Sequence, residues 1–236
     1  MDMHSRDAVS PDMLVGCPPL ERTPAIEFDQ LLRPGQRAVI LATHPLDEVL
    51  ACGGLLQVLS QRGHALQLIS ITDEPDGQAG RSVAQALENS DSLRRLGIPA
   101  MRMKWIRGRF RHGLLDGRAD GLEAFLLRYV RGDDVVFAPW RLDGDADREA
   151  VGRCAQRACA GLGAQLVEMP IHAWHWASGR DANLPWQRTR KLALDHPTLA
   201  RKRHAIQSHA ALSLEPLTPR SGARRHLQLH YELFIL

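Results

Sequence analysis

Residues 39–54 read VILATHPLDEVLACGG. The run from Ala38 to Leu41 is apolar and partly β-branched, as a buried strand is. It breaks into Thr43-His44-Pro45-Leu46-Asp47-Glu48, and apolar residues then resume at helical spacing. Strand, polar turn and helix in that order form the opening unit of an α/β fold. Pro45 fixes the turn. Glu48, at the helix start, suits the positive end of the helix dipole. An imidazole and a carboxylate on one tight turn can reach a single divalent cation, and zinc accepts such nitrogen and oxygen ligands. On spacing alone a plainer reading stands ahead: Asp47 caps the helix and His44 hydrogen-bonds to backbone. Leu46, apolar in the middle of these polar groups, fits neither reading.

Outward from this stretch the pattern alternates. Strands are expected over QRAVILAT, ALQLISIT, MRMKWI, DDVVFAPW, AQLVEMPIHAW and HLQLHYELFIL. Helices are expected over DEVLACGGLLQVLSQRG, RSVAQALENSDSLRRLGI, GLEAFLLRYV, AVGRCAQRACAGLG and HPTLARKRHAIQSHAAL. Strands alternating with helices of this length indicate a mainly parallel sheet covered on both faces. In such sheets the working site lies at the carboxyl ends of the strands. The polar loops after Thr43 and after Pro139 both fall there. Residues 1–35, polar and punctuated by proline, read as a partly ordered arm, and residues 36–236 as a single α/β domain.

Composition narrows the function. Of 236 residues 44% are hydrophobic and 24% charged, which suits one sizeable core. Thirty Lys and Arg against 27 acidic residues leave a net charge of only +3, with the basic residues scattered, so nucleic acid is not an expected partner. No apolar run approaches the length of a membrane span. The N-terminus lacks the basic head and apolar stretch of a secretory signal. Cys17, Cys52, Cys154 and Cys159 form no C-x-x-C pair, so a reduced, cytoplasmic chain is expected. No G-x-G-x-x-G follows the first strand, which argues against a dinucleotide site.

THPLDEVLACGG resembles the signature of the LmbE-like, or PIG-L, family of zinc-dependent N-deacetylases. That signature runs Ala/Gly-His-Pro-Asp-Asp-Glu before a helix with a Gly-Gly pair. The resemblance implies a Rossmann-like three-layer sandwich. It places His44 and Asp47 at metal-ligand positions and Leu46 at the position of the general base. About a hundred residues on, DVVFAPWRLDGDADREAVGRCAQRA is similar to the family's Asp-Gly-His-Pro-Asp-His and the helix after it. Asp143, Gly144 and Asp147 are kept, while Asp145 replaces the first histidine and Arg148 the metal-binding one. A guanidinium has no lone pair to give a metal. Its fixed charge can instead neutralise Asp47 together with Asp145 or Asp147, in the metal's place.

Other stretches match the family's framework. QALENSDSLRRLG keeps a glutamate, Glu88, but has Gln85 where an arginine contacts substrate. EMPIHAWHWA keeps Trp174, His175 and Trp176 of one bacterial branch, either as the wall of a sugar pocket or as an aromatic cluster of the core. ARKRHAIQSHAAL keeps Lys202, Ala205, Ile206 and His209, and YELF keeps the family's ending.

Amide hydrolysis in the family uses a metal-polarised carbonyl, a metal-bound water and a base to deprotonate it. A leucine cannot accept the proton, a loss worth about 10²–10⁴-fold, and Arg148 threatens the metal itself. The resemblance therefore implies a deacetylase scaffold with impaired or lost catalysis that retains a cleft for a sugar conjugate. Glu88, Trp174 and His175 are its candidate substrate-binding residues, and Asp145 and Asp147 the candidate catalytic carboxylates. Zinc is the expected cofactor if any metal is held at His44 and Asp47. The alternative is an active metal-dependent N-deacetylase, its ligand set completed by Asp145, Asp147 or His175 and tilted toward Mn or Mg.

Overall fold

The structure, a computed structural model, describes residues 18–74, 79–173, 184–208, 226–227 and 229–236. Helices α1 (Pro18–Arg22) and α2 (Phe28–Leu31) precede β1 (Ala38–Ala42), α3 (Asp47–Gln61), β2 (Leu66–Glu74), α4 (Ala79–Arg95) and β3 (Met103–Arg111). Then come α5 (Ala119–Leu127), β4 (Val135–Pro139), α6 (Ala146–Leu162), β5 (Gln165–Met169), β6 (Thr189–Ala193), α7 (His196–Gln207) and β7 (Tyr231–Ile235). The described strands form one seven-stranded sheet in the order β3-β2-β1-β4-β5-β7-β6. The first five are parallel, and β7 runs antiparallel to both its neighbours.

The central strand shows why the sequence makes three layers. Every residue of β1 is buried, and its side chains alternate between two cores. Ala38, Ile40 and Ala42 join Val49, Leu55, Leu56, Leu59, Leu93 and Ile206 from α3, α4 and α7. Val39 and Leu41 join Leu122, Leu126, Val151, Cys154 and Ala158 from α5 and α6. A strand buried on both faces must be apolar throughout, and AVILA is. Gly152 lets α6 approach the sheet: a Cβ there would lie 2.5 Å from the Pro139 carbonyl oxygen.

β1 pairs with β2 on one side and β4 on the other. Successive connections leave the sheet's centre in opposite directions at this point, which opens a crevice at the carboxyl ends of β1 and β4. The loops carrying His44 and Asp143–Asp145 meet there.

The structure differs from expectation in several elements. Strand β6 is not among the strands the pattern predicts. Its sequence, TRKLA, carries two basic residues at the sheet margin, and it is held by Tyr231–Ile235 and by chain that precedes β1. The Ile26 amide donates to the Lys191 carbonyl at 2.8 Å and the Lys191 amide to the Pro24 carbonyl at 2.9 Å. Leu20, Ile26, Phe28, Leu31 and Leu32, all within the stretch read as an arm, are buried. The third strand continues to Arg111, five residues beyond MRMKWI. The fifth strand stops at Met169, because the amides of Ile171, His172 and Ala173 turn aside to the Asp143 carboxylate at 2.8, 2.6 and 2.9 Å.

Helix α3 is broken near its start. Cys52 has φ −141° and ψ 25°, and the amides of Gly54 and Leu55 donate to the Glu232 carboxylate at 2.6 and 2.8 Å. Lys202 Nζ completes that carboxylate's partners at 2.6 Å, with both side chains buried. A carboxylate suits a new helix N-terminus, where free amides and the dipole meet.

Candidate functional site

The turn after β1 is built around Asp47. Its carboxylate, fully buried, reaches back to accept the His44 amide at 2.9 Å. Leu46 adopts a left-handed conformation, φ 76°, which leucine rarely takes. Its side chain turns away from the polar groups into the core beside Val49. The Glu48 carboxyl is also buried, and neither of its oxygens has a hydrogen-bond partner among the described residues. Burial, reinforced by the neighbouring Asp47 charge, raises it to about 8, so it is mostly protonated at neutral pH.

The turn after β4 supplies the other half. Asp145 caps α6, accepting the Arg148 amide at 2.9 Å. This aims the Arg148 side chain across the crevice. Its Nη2 lies 2.7 Å from Asp47 Oδ1, and its Nε is 3.2 Å from each Asp47 oxygen. Nη1 lies 3.5 Å from Asp145 Oδ2. The Arg148 side chain is 13% exposed. Burial lowers its proton affinity, but the charge and hydrogen bonds of Asp47 and the charges of Asp145 and Asp143 raise it above the ordinary arginine range. For Asp145 burial works upward, yet the hydrogen bond to His44 and the amide and charge of Arg148 hold it below the usual carboxylate range. His44 Nε2 faces Asp145 Oδ1 at 3.3 Å.

Asp147, one turn into α6, does different work. It accepts the amides of Gly113 at 2.6 Å and Leu115 at 3.2 Å, tying down the loop after β3. That loop brings His112 against His44, ring centroids 4.6 Å apart at 44°. One ligating atom from each of His44, His112 and Asp147 lies within 4.8 Å of the others.

Zinc, in the arrangement the resemblance implies, needs lone pairs from His44, Asp47 and residue 148. Arg148 offers none and holds both Asp47 oxygens itself. The residues present do not fit a metal at that place.

Of the residues singled out in the sequence, His44, Asp47, Asp145, Asp147 and Arg148 converge at the crevice. Glu88 is half-buried on α4 with no side-chain hydrogen bond to the described residues. Trp174, His175, Trp176 and His209 lie outside the described residues. Two histidines at the crevice, His112 and His172, are not among the residues the sequence points to. Only the full length of β3 brings the first to the sheet's carboxyl edge. The second is held by its amide on Asp143. Burial lowers the His172 imidazole, and the nearby Arg148 charge lowers it further.

The PIG-L family model, described as GlcNAc-PI de-N-acetylase, matches residues 39–159, and the chain belongs to that family. Curated proteins yield no match. Solved structures share the fold. A zinc-inhibited teicoplanin deacetylase, Orf2, is 14% identical with a TM-score of 0.63, over 85% of this chain and 97% of that one. N,N'-diacetylchitobiose deacetylase from Pyrococcus horikoshii is 17% identical with a TM-score of 0.56, over 79% and 74%. A conserved protein from Thermus thermophilus, TT1542, is 21% identical with a TM-score of 0.56, over 84% and 93%.

Proposed function

We propose that this chain binds a sugar conjugate in the family's cleft and that its hydrolytic centre has been replaced by an ion pair. The observation that carries this reading is the Arg148 guanidinium on Asp47, 2.7 Å from Oδ1. It supplies there the positive charge a metal would supply, but no site for water. With Leu46 turned into the core, no carboxylate stands at the base position either. Asp145 and Asp147, the remaining carboxylates, are occupied in capping α6, pairing with Arg148 and holding the 113–115 loop. The sugar-conjugate substrates named for the teicoplanin and chitobiose deacetylases support a carbohydrate ligand, with Glu88, Trp174 and His175 as the proposed contacts.

The test incubates the chain with N-acetylglucosaminyl conjugates, measures free amine, and follows binding by ligand-observed NMR. Binding without turnover is expected. The double variant Leu46→Asp/Arg148→His is expected to gain amide hydrolysis and zinc binding that Asp47→Asn abolishes, with Arg148→His alone gaining that Asp47-dependent binding. Turnover by the unaltered chain that Asp47→Asn abolishes would overturn the reading. If neither variant gains metal or activity, the residue correspondence fails.

A further inference from the structure

We infer that His44, His112 and Asp147 form a divalent-cation site of their own, beside the ion pair that fills the family's metal position. The inference rests on the reading above: Arg148 holds the Asp47 carboxylate, and His44, paired through Nε2 with Asp145, keeps Nδ1 for another partner among the described residues.

The ligand chemistry is that of a first-row transition metal: two imidazoles and a carboxylate. Their ligating atoms lie within 4.8 Å of one another. Around tetrahedral zinc such atoms stand roughly 3–3.5 Å apart, so closure of about an ångström is needed. The adjustable partner is at hand, since His112 is exposed at the end of β3. The other two are held. Asp147 is buried, and the amides of Gly113 and Leu115 fix its carboxylate, as metal-bound carboxylates are commonly fixed. His44 Nε2 faces Asp145, the carboxylate–histidine pairing that orients an imidazole and sharpens its other nitrogen as a donor. That nitrogen, Nδ1, is buried with no hydrogen-bond partner among the described residues.

Charge favours the cation as well. Asp47, Asp145 and Asp147 bring three carboxylates to the crevice, and Arg148 brings one guanidinium, directed at Asp47 and Asp145. Asp147 accepts only backbone amides, so its charge has no described cationic partner. The site differs from the family's: it shares His44 but uses neither residue 47 nor residue 148. With three protein ligands, a cation there would keep a position for a further ligand, such as a hydroxyl group.

The test titrates the full chain with Co2+, read by its visible absorption, and displaces it with Zn2+, with bound metal counted by atomic spectroscopy. One equivalent is expected. His112→Ala, an exposed substitution that leaves folding intact, is expected to weaken binding at least about 100-fold, and Asp47→Asn to change it only a few-fold. In the unaltered chain Zn2+ should shift the His44 and His112 ring resonances and leave His64 unmoved. Absence of binding below millimolar metal, or binding indifferent to both His112→Ala and Asp47→Asn, overturns the inference and leaves the proposed function standing. Binding lost with Asp47→Asn but kept in His112→Ala places the cation at the family's position and overturns both.

Discussion

Arg148 and Asp47 illustrate how one side chain changes the physics of a site. Both are withdrawn from water, and each is tolerable only because the other is there. Arg148→Met would strand the Asp47 carboxylate, with only the His44 amide left to satisfy it among the described residues. The expected cost is about 3–5 kcal/mol, as for other broken buried pairs. Adding Asp47→Leu should recover most of it, and chemical denaturation of the three chains measures both effects. The pairing of Arg148 with Asp47 was legible in the sequence, because a fixed positive charge near buried carboxylates pairs with them. His112 was not legible. Its place depends on β3 running through Arg111, and strand ends are set by pairing with β2, including two register shifts past Ser70, which no local pattern announces. The orientation of Leu46 was also hidden, since spacing places a residue on a turn without saying which way its side chain faces.

At the scale of elements, the family-like residues far from the crevice acquire a mechanical meaning. Lys202 on α7 and Glu232 on β7 matched the family's framework in sequence, and the structure shows them closing the break in α3. Glu232 holds the second part of that helix by its first free amides, so the helix behind the His44 turn is fixed to β7 and α7. Glu232→Ala removes the acceptor of two buried amides and strands Lys202. A loss of about 3–5 kcal/mol is expected, larger than that for Lys202→Met, which leaves the carboxylate its two amides. Thermal and urea unfolding of both variants checks the order. The helices and the parallel strands were readable because each carries its own periodicity. Strand β6 was not, because five residues with two basic side chains resemble a loop until β7 is paired beside them.

For the molecule as a whole, a buried carboxyl on β5 contributes a pH-dependent part of the stability. Glu168 on β5 is buried, and burial raises its carboxyl above the ordinary glutamate value despite the Arg141 amide and the Arg141 and Arg188 charges. The native state therefore keeps a proton that the unfolded chain releases. Stability contributed at this position is greatest below the unfolded pKa and declines as pH rises from there to the raised native value. Glu168→Gln should remove that decline, so the variant gains on the parent as pH rises above about 4.5. Melting temperatures of the two chains across about pH 4 to 8 show it.

The left-handed turn at Leu46 has a consequence for any substitution there. The leucine fills a place in the interior at a backbone cost of about 1–2 kcal/mol for an L-residue in that conformation. Aspartate tolerates the turn better, but its charge would face the apolar surroundings that Leu46 now fills. Leu46→Asp alone is therefore expected to weaken the fold, which thermal unfolding checks, while Arg148→His leaves the interior around residue 46 untouched. The order in which the two substitutions are tolerated is set by packing.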